Sequence, residues 1–409
     1  MNKKLLIVSL LCLLTIGKLF AADGDVRTVS RAEYNDVAYG LYNSVYSAVP
    51  FLSIAPDARG AALGDQGVAT SADVHSQHWN PAKYPFNKSN GGVALSYTPW
   101  LTKLNVGINM LYLDGYYRFG QQTVGASLRY FSLGDIALYD NNAQYMGNAS
   151  PNEFAIDVSY ARLLAKRFSM SVALRFIYSN LGVATNDDYK AGLAVGADIA
   201  AFYQTPIMIG NMETNLSWGL NISNIGSKIS YSSEESLFIP TMFRLGLNYG
   251  VNFDKYNKLS LSAEASKYLV PSKYKVVSST ADSITYEQVD LNKVGSLAGI
   301  FQSFADAPGG FKEEMQELLW SVGLEYNYYD MFMVRAGYFN ESKNKGNRKF
   351  FQVGAGFKLS AFNLDVAYTI ALSQTNPLDG TLRFTLGFDI DGIIDLANGG
   401  TGGRISNKQ

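Results

Sequence analysis

The sequence predicts an all-β fold, a transmembrane antiparallel β-barrel of about fourteen strands, and three observations lead to it. Segments of ten to fifteen residues alternate between large apolar and small or polar side chains. These segments exceed the ~5 to 6 residues of an ordinary strand and fit the about 9 to 11 residues of a tilted membrane crossing. The connections between them are alternately short and long, as in outer-membrane barrels. A soluble sandwich also alternates, but it uses shorter strands.

The first residues are typical of a secretory signal. Two lysines precede an apolar core from Leu5 to Ile16, and two alanines follow it before Asp23. We therefore assign residues 1–22 to a signal peptide, and the protein is expected to leave the cytoplasm. The only cysteine, Cys12, lies inside that core. The mature chain is thus expected to contain no disulfide, thiol nucleophile or thiolate metal site.

Composition narrows the class further. Beyond the predicted signal, no run approaches the ~20 apolar residues of a membrane-spanning helix. Hydrophobic residues make up 47% of the chain, aromatic residues 13% and charged residues only 17%. The net charge of -1 gives no indication of nucleic-acid binding. An exported chain of this kind is a large secreted β protein or a membrane barrel, and the alternation favours the barrel.

Two segments precede the predicted strands. Residues 23–50 are polar with scattered tyrosines, and we interpret them as a periplasmic lead-in. Residues 51–91 are rich in glycine and alanine, which allow the backbone to approach other surfaces closely. Asn80 before Pro81 predicts the start of a short helix, because Asn caps free amides and Pro suits the first helical position. We call residues 51–91 the hatch and expect a compact plug rather than a strand.

The hatch carries an ordered set of short motifs. They are Asp57-x-Arg59-Gly60, Gly64-Asp65-Gln-Gly67, Asp73 after a small residue, and Trp79-Asn80-Pro81-Ala82. Together they resemble the N-terminal hatch of the FadL-type outer-membrane barrels. Within that superfamily they resemble most the PorV family, and next the PorQ family, of the type IX secretion system. The resemblance covers the hatch alone, so the strands depend on their own periodicity.

The resemblance implies a non-enzymatic outer-membrane component of type IX secretion. In that family the barrel receives the C-terminal signal domain of secreted cargo at the extracellular face, beside a large translocon. It then passes the cargo to a surface attachment complex. The implied partners are cargo C-terminal signal domains, the outer-membrane translocon, attachment-complex proteins and outer-membrane lipid, with no nucleic acid. We expect no cofactor.

The barrel itself is predicted over residues 92–390. In the segment Phe168–Tyr178 one face is entirely apolar, whereas the other carries Ser169, Ser171 and Arg175, a face too polar for a core. The predicted strands are residues 92–99, 104–118, 123–133, 152–163, 167–180, 190–204, 213–224, 241–253, 258–268, 319–328, 332–340, 349–359, 361–372 and 380–390. The predicted inward charges are Arg129, Asp157, Arg175, Asp198, Arg244, Glu264, Glu325, Arg335, Lys358, Asp365 and Arg383.

The lengths of the connections predict an orientation. Outer-membrane barrels have short periplasmic turns and long extracellular loops. The connections after even-numbered strands are short, which predicts that both termini are periplasmic. Residues 391–409, with four closely spaced glycines, are then expected to form a flexible periplasmic tail.

The longest connection, residues 269–318, is predicted to be extracellular and functional. Phe311, Met315, Leu318 and Leu319 would share one side of a short amphipathic helix, and they are our candidate partner-binding residues. The alternative is that this helix only folds over the mouth of the barrel.

No catalytic or metal site is predicted. The only two histidines of the chain, His75 and His78, both belong to the hatch, whereas a Ser-His hydrolase of the membrane-phospholipase type would need one on a barrel strand. They stand at i and i+3 and could ligate a metal, but we interpret them as polar packing. The alternative function is a FadL-like transporter of hydrophobic small molecules, which needs an apolar path into the wall. A lipid-modifying enzyme comes third.

Overall fold

The computed structural model describes residues 27–30, 44–104, 107–139, 144–182, 188–210, 212–372 and 376–398. The predicted signal peptide, residues 1–22, lies outside these ranges, as does much of the predicted lead-in. Among the described helices, none has the length and apolar content to cross a membrane.

Strands dominate the structure. In chain order, the strands β1 to β21 are Arg27–Ser30, Gly91–Pro99, Asn109–Phe119, Gln122–Ser132, Ile136–Tyr139, Tyr145–Ala149, Asn152–Ala165, Phe168–Asn180, Gly192–Ile209, Met212–Gly226, Ile229–Ser230, Ser236–Leu237, Met242–Asn252, Asn257–Tyr268, Tyr274–Ser279, Ser283–Gln288, Leu319–Tyr328, Phe332–Asn340, Lys349–Leu359, Phe362–Ala371 and Leu382–Asp389. The α-helices α1 to α5 are Ala58–Ala62, Ser76–Trp79, Ser296–Gln302, Phe311–Glu314 and Ile390–Ala397.

Fourteen of these strands form one closed antiparallel barrel, which confirms the predicted fold class. They are β2 to β4, β7 to β10, β13, β14 and β17 to β21. Each pairs with the next along the chain, and β21 pairs with β2 to close the circle. The remaining strands pair outside the barrel wall, in long connections and in a small sheet that contains β1.

Two predicted strand boundaries differ clearly from the structure. The strand expected at 104–118 begins at Asn109, because Thr102–Leu104 form a 3-10 turn. The strand expected at 190–204 continues to Ile209 and includes Pro206, which lacks an amide hydrogen. The pairing of β9 with β8 ends at Tyr203, and beyond that residue β9 pairs only with β10. Pro206 is tolerated because this part of β9 is an edge strand.

The barrel wall separates two kinds of side chain. On β8, Met170, Val172 and Leu174 face outward and are 41%, 55% and 72% exposed, whereas Ser169 and Arg175 face inward and are buried. A belt of exposed apolar side chains around a polar interior is the arrangement of a barrel that lipid surrounds.

The hatch lies inside the barrel. Its residues hydrogen-bond to Arg129 on β4, Ser169 on β8, Asn221 on β10, Glu264 on β14 and Thr385 on β21. These strands lie on different sides of the cylinder. Only a segment in the interior can reach all of them.

The described chain begins and ends at opposite ends of the barrel. The Ala48 N–H donates to the Phe238 carbonyl at 2.9 Å, and Lys273 Nζ lies 3.6 Å from the ring centroid of Tyr46. Phe238 and Lys273 belong to the long connections after β10 and β14, and β1 pairs with β16 in the second of them. The chain therefore enters at the long-loop end, passes through the barrel and starts β2 at the short-turn end.

The described parts of the two terminal segments differ from the prediction. The lead-in at residues 23–50 and the C-terminal segment do not share one side, because the described part of the lead-in lies at the long-loop end and α5 at the short-turn end. Alternation identifies strands, but it does not give the direction in which a non-strand segment crosses the lumen. The tail at 391–409 was expected to be flexible, yet α5 covers its first residues; residues 399–409 lie outside the described ranges.

A cysteine-labelling experiment tests this arrangement. Ser44→Cys should react with a membrane-impermeant maleimide on intact cells, because the long-loop end faces outward in the orientation that the loop lengths predict. Asp395→Cys, on α5, should react only after the outer membrane is permeabilised. Cys12 is the only native cysteine and belongs to the predicted signal peptide, so the label reports the introduced site. Equal labelling of both variants on intact cells would contradict the opposite placement of the two ends.

Candidate functional site

Asp57 connects two motifs of the hatch. Its Oδ2 accepts a hydrogen bond from the Gly60 N–H at 2.6 Å and caps α1, while its Oδ1 accepts one from Trp79 Nε1 at 2.7 Å. The residue is only 1% exposed, so an unpaired carboxylate here would carry a large desolvation cost. The Asp57 and Trp79 motifs, far apart in sequence, therefore form one structural unit.

Arg59 ties the hatch to the barrel wall. Its Nε and Nη2 donate to both carboxylate oxygens of Glu325 on β17, at 3.0 and 2.9 Å, and its Nη1 lies 2.6 Å from Asp73 Oδ2. Glu325 also accepts from Arg335 on β18 at 2.6 Å, and Arg335 contacts Asp365 on β20 at 2.5 Å. Two-pronged Arg–carboxylate pairs fix orientation as well as distance. The hatch thus joins a chain of charges with members on β17, β18 and β20.

Close packing explains three glycines of the hatch. A Cβ at Gly60 would lie 2.6 Å from Trp79 Cζ2, and one at Gly67 would overlap the same indole ring. Gly64 has φ +92 and lies against the backbone of Tyr338 on β18. These three glycines allow the hatch to fold on its tryptophan and to touch the wall.

The last hatch motif caps a short helix and binds the wall. Asn80 Oδ1 accepts from the Ala82 N–H at 3.0 Å, which confirms the predicted helix start. The Asn80 side-chain amide also donates to the Ala201 carbonyl on β9 at 3.0 Å. On the other side of the lumen, Asp65 accepts a hydrogen bond from Gln352 on β19 at 3.0 Å. The motif residues therefore bind opposite parts of the barrel.

A second charged group braces the wall beside the hatch. Arg175 Nη2 lies 2.8 Å from Asp157 Oδ2 and 3.0 Å from Asp198 Oδ2. Gln77 of α2 donates to the other Asp157 oxygen at 2.7 Å. All four side chains are buried, and the three predicted inward charges among them do face the lumen.

The two histidines bind different strands. His75 Nδ1 lies 3.1 Å from Asp114 Oδ2 on β3, and His78 Nδ1 lies 2.8 Å from Arg129 Nη2 on β4. A shared metal would require the imidazoles to converge. Among the residues that the structure describes, no group of three or more His, Cys, Asp or Glu side chains is arranged to hold a metal ion.

The predicted partner loop departs from the expected amphipathic helix. Phe311 is 80% and Met315 49% exposed, but Leu319 is only 3% exposed and begins β17, and Leu318 is partly buried. The four predicted residues therefore do not share one surface. The reason is local: α4 ends at Glu314 and a 3-10 turn follows, so the helical spacing is lost.

Charged side chains hold this part of the loop in place. Lys267 on β14 lies 2.9 Å from Glu314 and also contacts Glu317, while Lys345 lies 2.6 Å from Glu313 and 3.0 Å from Glu317. Glu314 and Glu317 are buried. The acidic side of α4 thus faces the barrel, and its phenylalanine faces outward.

A second group of exposed apolar residues on the same loop was not predicted from the sequence. Leu297, Phe301 and Phe304 of α3 and the residues after it are 63%, 76% and 53% exposed. The opposite side of α3 is fixed at Gly299, where a Cβ would lie 2.6 Å from Phe238 Cε1. Their spacing of four and three residues is a helical signal that was available in the sequence. We name Leu297, Phe301, Phe304, Phe311 and Met315 the apolar crest.

The comparison with known families identifies the chain. A family model described as "Type IX secretion system protein PorV" matches residues 40–275, more than half of the 409 residues. The chain belongs to the PorV family. The matched region contains the whole hatch and the first nine barrel strands, and it ends before the apolar crest. This PorV-family protein is therefore an outer-membrane component of the type IX secretion system.

Solved structures of other barrels resemble this PorV-family protein. No curated protein matches the chain. The toluene transporter TbuX of Ralstonia pickettii is 11% identical (TM-score 0.42; 82% of this chain, 97% of that chain). The toluene transporter TodX of Pseudomonas putida is 10% identical (TM-score 0.45; 84% of this chain, 96% of that chain). A Pseudomonas aeruginosa FadL homologue is also 10% identical (TM-score 0.44; 85% of this chain, 100% of that chain). Such low identities do not indicate what this chain binds.

Because the hatch and the wall are in close contact, a larger side chain at a wall glycine should destabilise the barrel. At Gly337 on β18, a Cβ would overlap the backbone of Leu63 and Gly64, so Gly337→Ala should destabilise the barrel by about 1–3 kcal/mol. Gly250→Ala on β13 is the matched control, because the nearest atom to its Cβ would be 3.9 Å away. The midpoint of urea unfolding in detergent measures the difference. Equal midpoints for both variants would mean that hatch and wall are not in contact.

Removal of the Arg175 charge should also lower the free energy of unfolding, for an electrostatic reason. Arg175→Met leaves Asp157 and Asp198 facing each other in a buried site without a cation, and we expect a loss of about 3–5 kcal/mol. Adding Asp157→Asn and Asp198→Asn should recover much of that loss, because the uncompensated charges disappear. Urea unfolding of the single and triple variants measures both effects. A triple variant no more stable than the single one would contradict this account.

Proposed function

We propose that this barrel receives the C-terminal signal domains of secreted cargo at its long-loop end, beside the translocon, and passes them to the attachment complex. It does so without catalysing a reaction. The observation that supports this proposal is the apolar crest, whose large side chains are exposed on a loop that the charged contacts of α4 hold in place.

The crest has the chemistry of a protein-binding surface. Large aromatic side chains supply much of the free energy of association when a partner covers them. Phe301 and Phe311 are among the most exposed large apolar side chains of the described residues, at 76% and 80%. In water this exposure is unfavourable, so a covered state with a partner is favoured.

The hatch supports a receiving role rather than a conducting one. Arg59, Asp65 and Asn80 bind wall strands on several sides of the lumen. A cargo chain that crossed this lumen would have to break these contacts. Receiving cargo at the surface, after another component has translocated it, requires no such change.

The contacts between the hatch and the wall also disfavour the transporter alternative. A hydrophobic small molecule needs an apolar path, whereas the wall positions that contact the hatch include Glu264, Glu325 and Arg129, all charged. The secretion role is therefore the better supported of the two. Enzymatic chemistry has little support either, because His75 and His78 are both buried in contacts with wall residues.

The crest should be required for cargo binding. Replacing Phe301 and Phe311 together by serine should raise the Kd for a purified cargo C-terminal domain about 10-fold or more, since burial of one phenylalanine contributes about 1.5–3 kcal/mol. Gln302→Ser with Lys312→Ser is the matched control, because both side chains are exposed neighbours of the two phenylalanines. Titration of the immobilised barrel with labelled cargo domain measures the Kd. Unchanged affinity in the serine variant would reject the crest as the binding surface.

A genetic experiment separates the two functions. Deletion of the gene should cause many unrelated secreted proteins to accumulate in the periplasm, and the Phe301/Phe311 serine variant should reproduce this at normal barrel abundance. If secretion is normal in the deletion strain and the purified barrel retains a fatty acid in its lumen, the transporter function is correct instead.

A further inference from the structure

Helix α5 has two chemically distinct sides. At 100° per residue, Ile390, Ile393 and Ile394 fall on one side of the helix, and Asp391 and Asp395 fall on the other. A helix of this length with such separation needs an apolar environment for one side. The contacts of α5 show which direction each side faces.

The polar side faces the rim of the barrel. Asp389 caps the helix by accepting from the Gly392 N–H at 3.3 Å, and Asp391 Oδ2 accepts from the Asn90 N–H at 2.9 Å. At Gly392 a Cβ would lie 2.8 Å from the Ala361 Cα, so this side of the helix touches the turn between β19 and β20.

Asp395, on the same polar side, lines a cavity of about 1550 Å³ at the short-turn end of the lumen. Lys258 and Asp330 line the same cavity. The acidic groups of α5 therefore face the aqueous mouth of the barrel.

The apolar side continues the outer surface of the wall. A Cβ at Gly91 would lie 2.6 Å from Ile390 Cδ1 and 3.2 Å from Tyr117 Cδ2, so the isoleucine and the tyrosine meet at this point. Tyr117 faces outward on β3 and is 57% exposed, and Phe119, at the end of the same strand, is 46% exposed. Because Ile390 lies in the middle of the apolar side, that side is on the outer, lipid-facing surface of the barrel.

Three branched apolar side chains of α5 are left exposed. Ile393, Ile394 and Leu396 are 44%, 51% and 41% exposed. They follow directly after β21, whose outward residues Leu382 and Phe384 belong to the exposed apolar belt. The exposed surface of α5 is thus an extension of that belt beyond the last strand.

We propose that α5 is an interfacial helix that docks on the phospholipid leaflet at the short-turn end of the barrel. Its Ile393 and Ile394 enter the acyl region, and its aspartates remain at the mouth of the lumen. Lipid is the favoured occupant because the apolar side is continuous with a surface that the bilayer already covers. The helix fixes the C-terminal segment to the membrane surface, and this role does not depend on cargo binding.

Site-directed spin labelling of the full barrel tests this proposal. Ile393→Cys, Ile394→Cys and the control Asp395→Cys are each labelled with a nitroxide and reconstituted in phosphatidylethanolamine–phosphatidylglycerol vesicles. Labels at 393 and 394 should collide several-fold more often with oxygen, relative to a water-soluble nickel chelate, than the label at 395. Heat-modifiable gel mobility verifies that each variant has a closed barrel.

Two outcomes would overturn the proposal. One is a water-like collision ratio at all three positions in vesicles. The other is water-like labels in vesicles that become immobile in native envelopes, which would assign α5 to a protein partner instead. A second readout uses a label at Ala397→Cys, which lies about 20° from Ile390 on the helix and should show the oxygen preference. Adding Ile393→Asn with Ile394→Asn should abolish that preference, and a label that retains it would show that the isoleucines do not hold the helix in the leaflet.

Discussion

Charged hydrogen bonds between the hatch and the inside of the wall determine how this protein is built. The hatch buries large side chains such as Phe51 and Tyr84, but apolar contacts impose little direction. Its orientation in the lumen therefore depends on directional contacts such as Arg59 with Glu325 and Asn80 with β9. Buried ion pairs gain little net stability, because removing both charges from water costs nearly as much as their attraction returns. Their geometry is restrictive, however. They define one position of the hatch among many that a smooth apolar lumen would permit.

The polar interior also explains two elements outside the lumen. In α4 the glutamates face Lys267 and Lys345 on the barrel, and Phe311 faces outward. In α5 the aspartates face the rim of the barrel and the isoleucines face away from it. A soluble protein with an apolar core would turn both helices the other way. An element attached to a barrel with charged interior and rim is held through its polar side, which leaves its apolar side for lipid or for another protein.

Much of the fold could be predicted from the sequence, because a two-residue period along strands of this length has few explanations. The fourteen strands and the Asn80 helix cap were predicted correctly. The direction in which the chain enters the lumen was not predicted. It depends on contacts such as that between Ala48 and Phe238, which lie 190 residues apart in the chain and carry no local pattern. Of the four candidate partner-binding residues, two are exposed as expected. Phe311 and Met315 are exposed, whereas the switch from α-helix to 3-10 turn at Met315 redirected Leu319 into the barrel.

The N-terminal segment of this protein is enclosed by the strands that follow it in the chain. The seam between β2 and β21 joins the two ends of the barrel sequence, so the cylinder stays open until this pair forms. In the finished cylinder the wall surrounds the residues before β2 on every side. The segment can therefore leave the lumen only along the barrel axis or after a strand pair of the wall has opened.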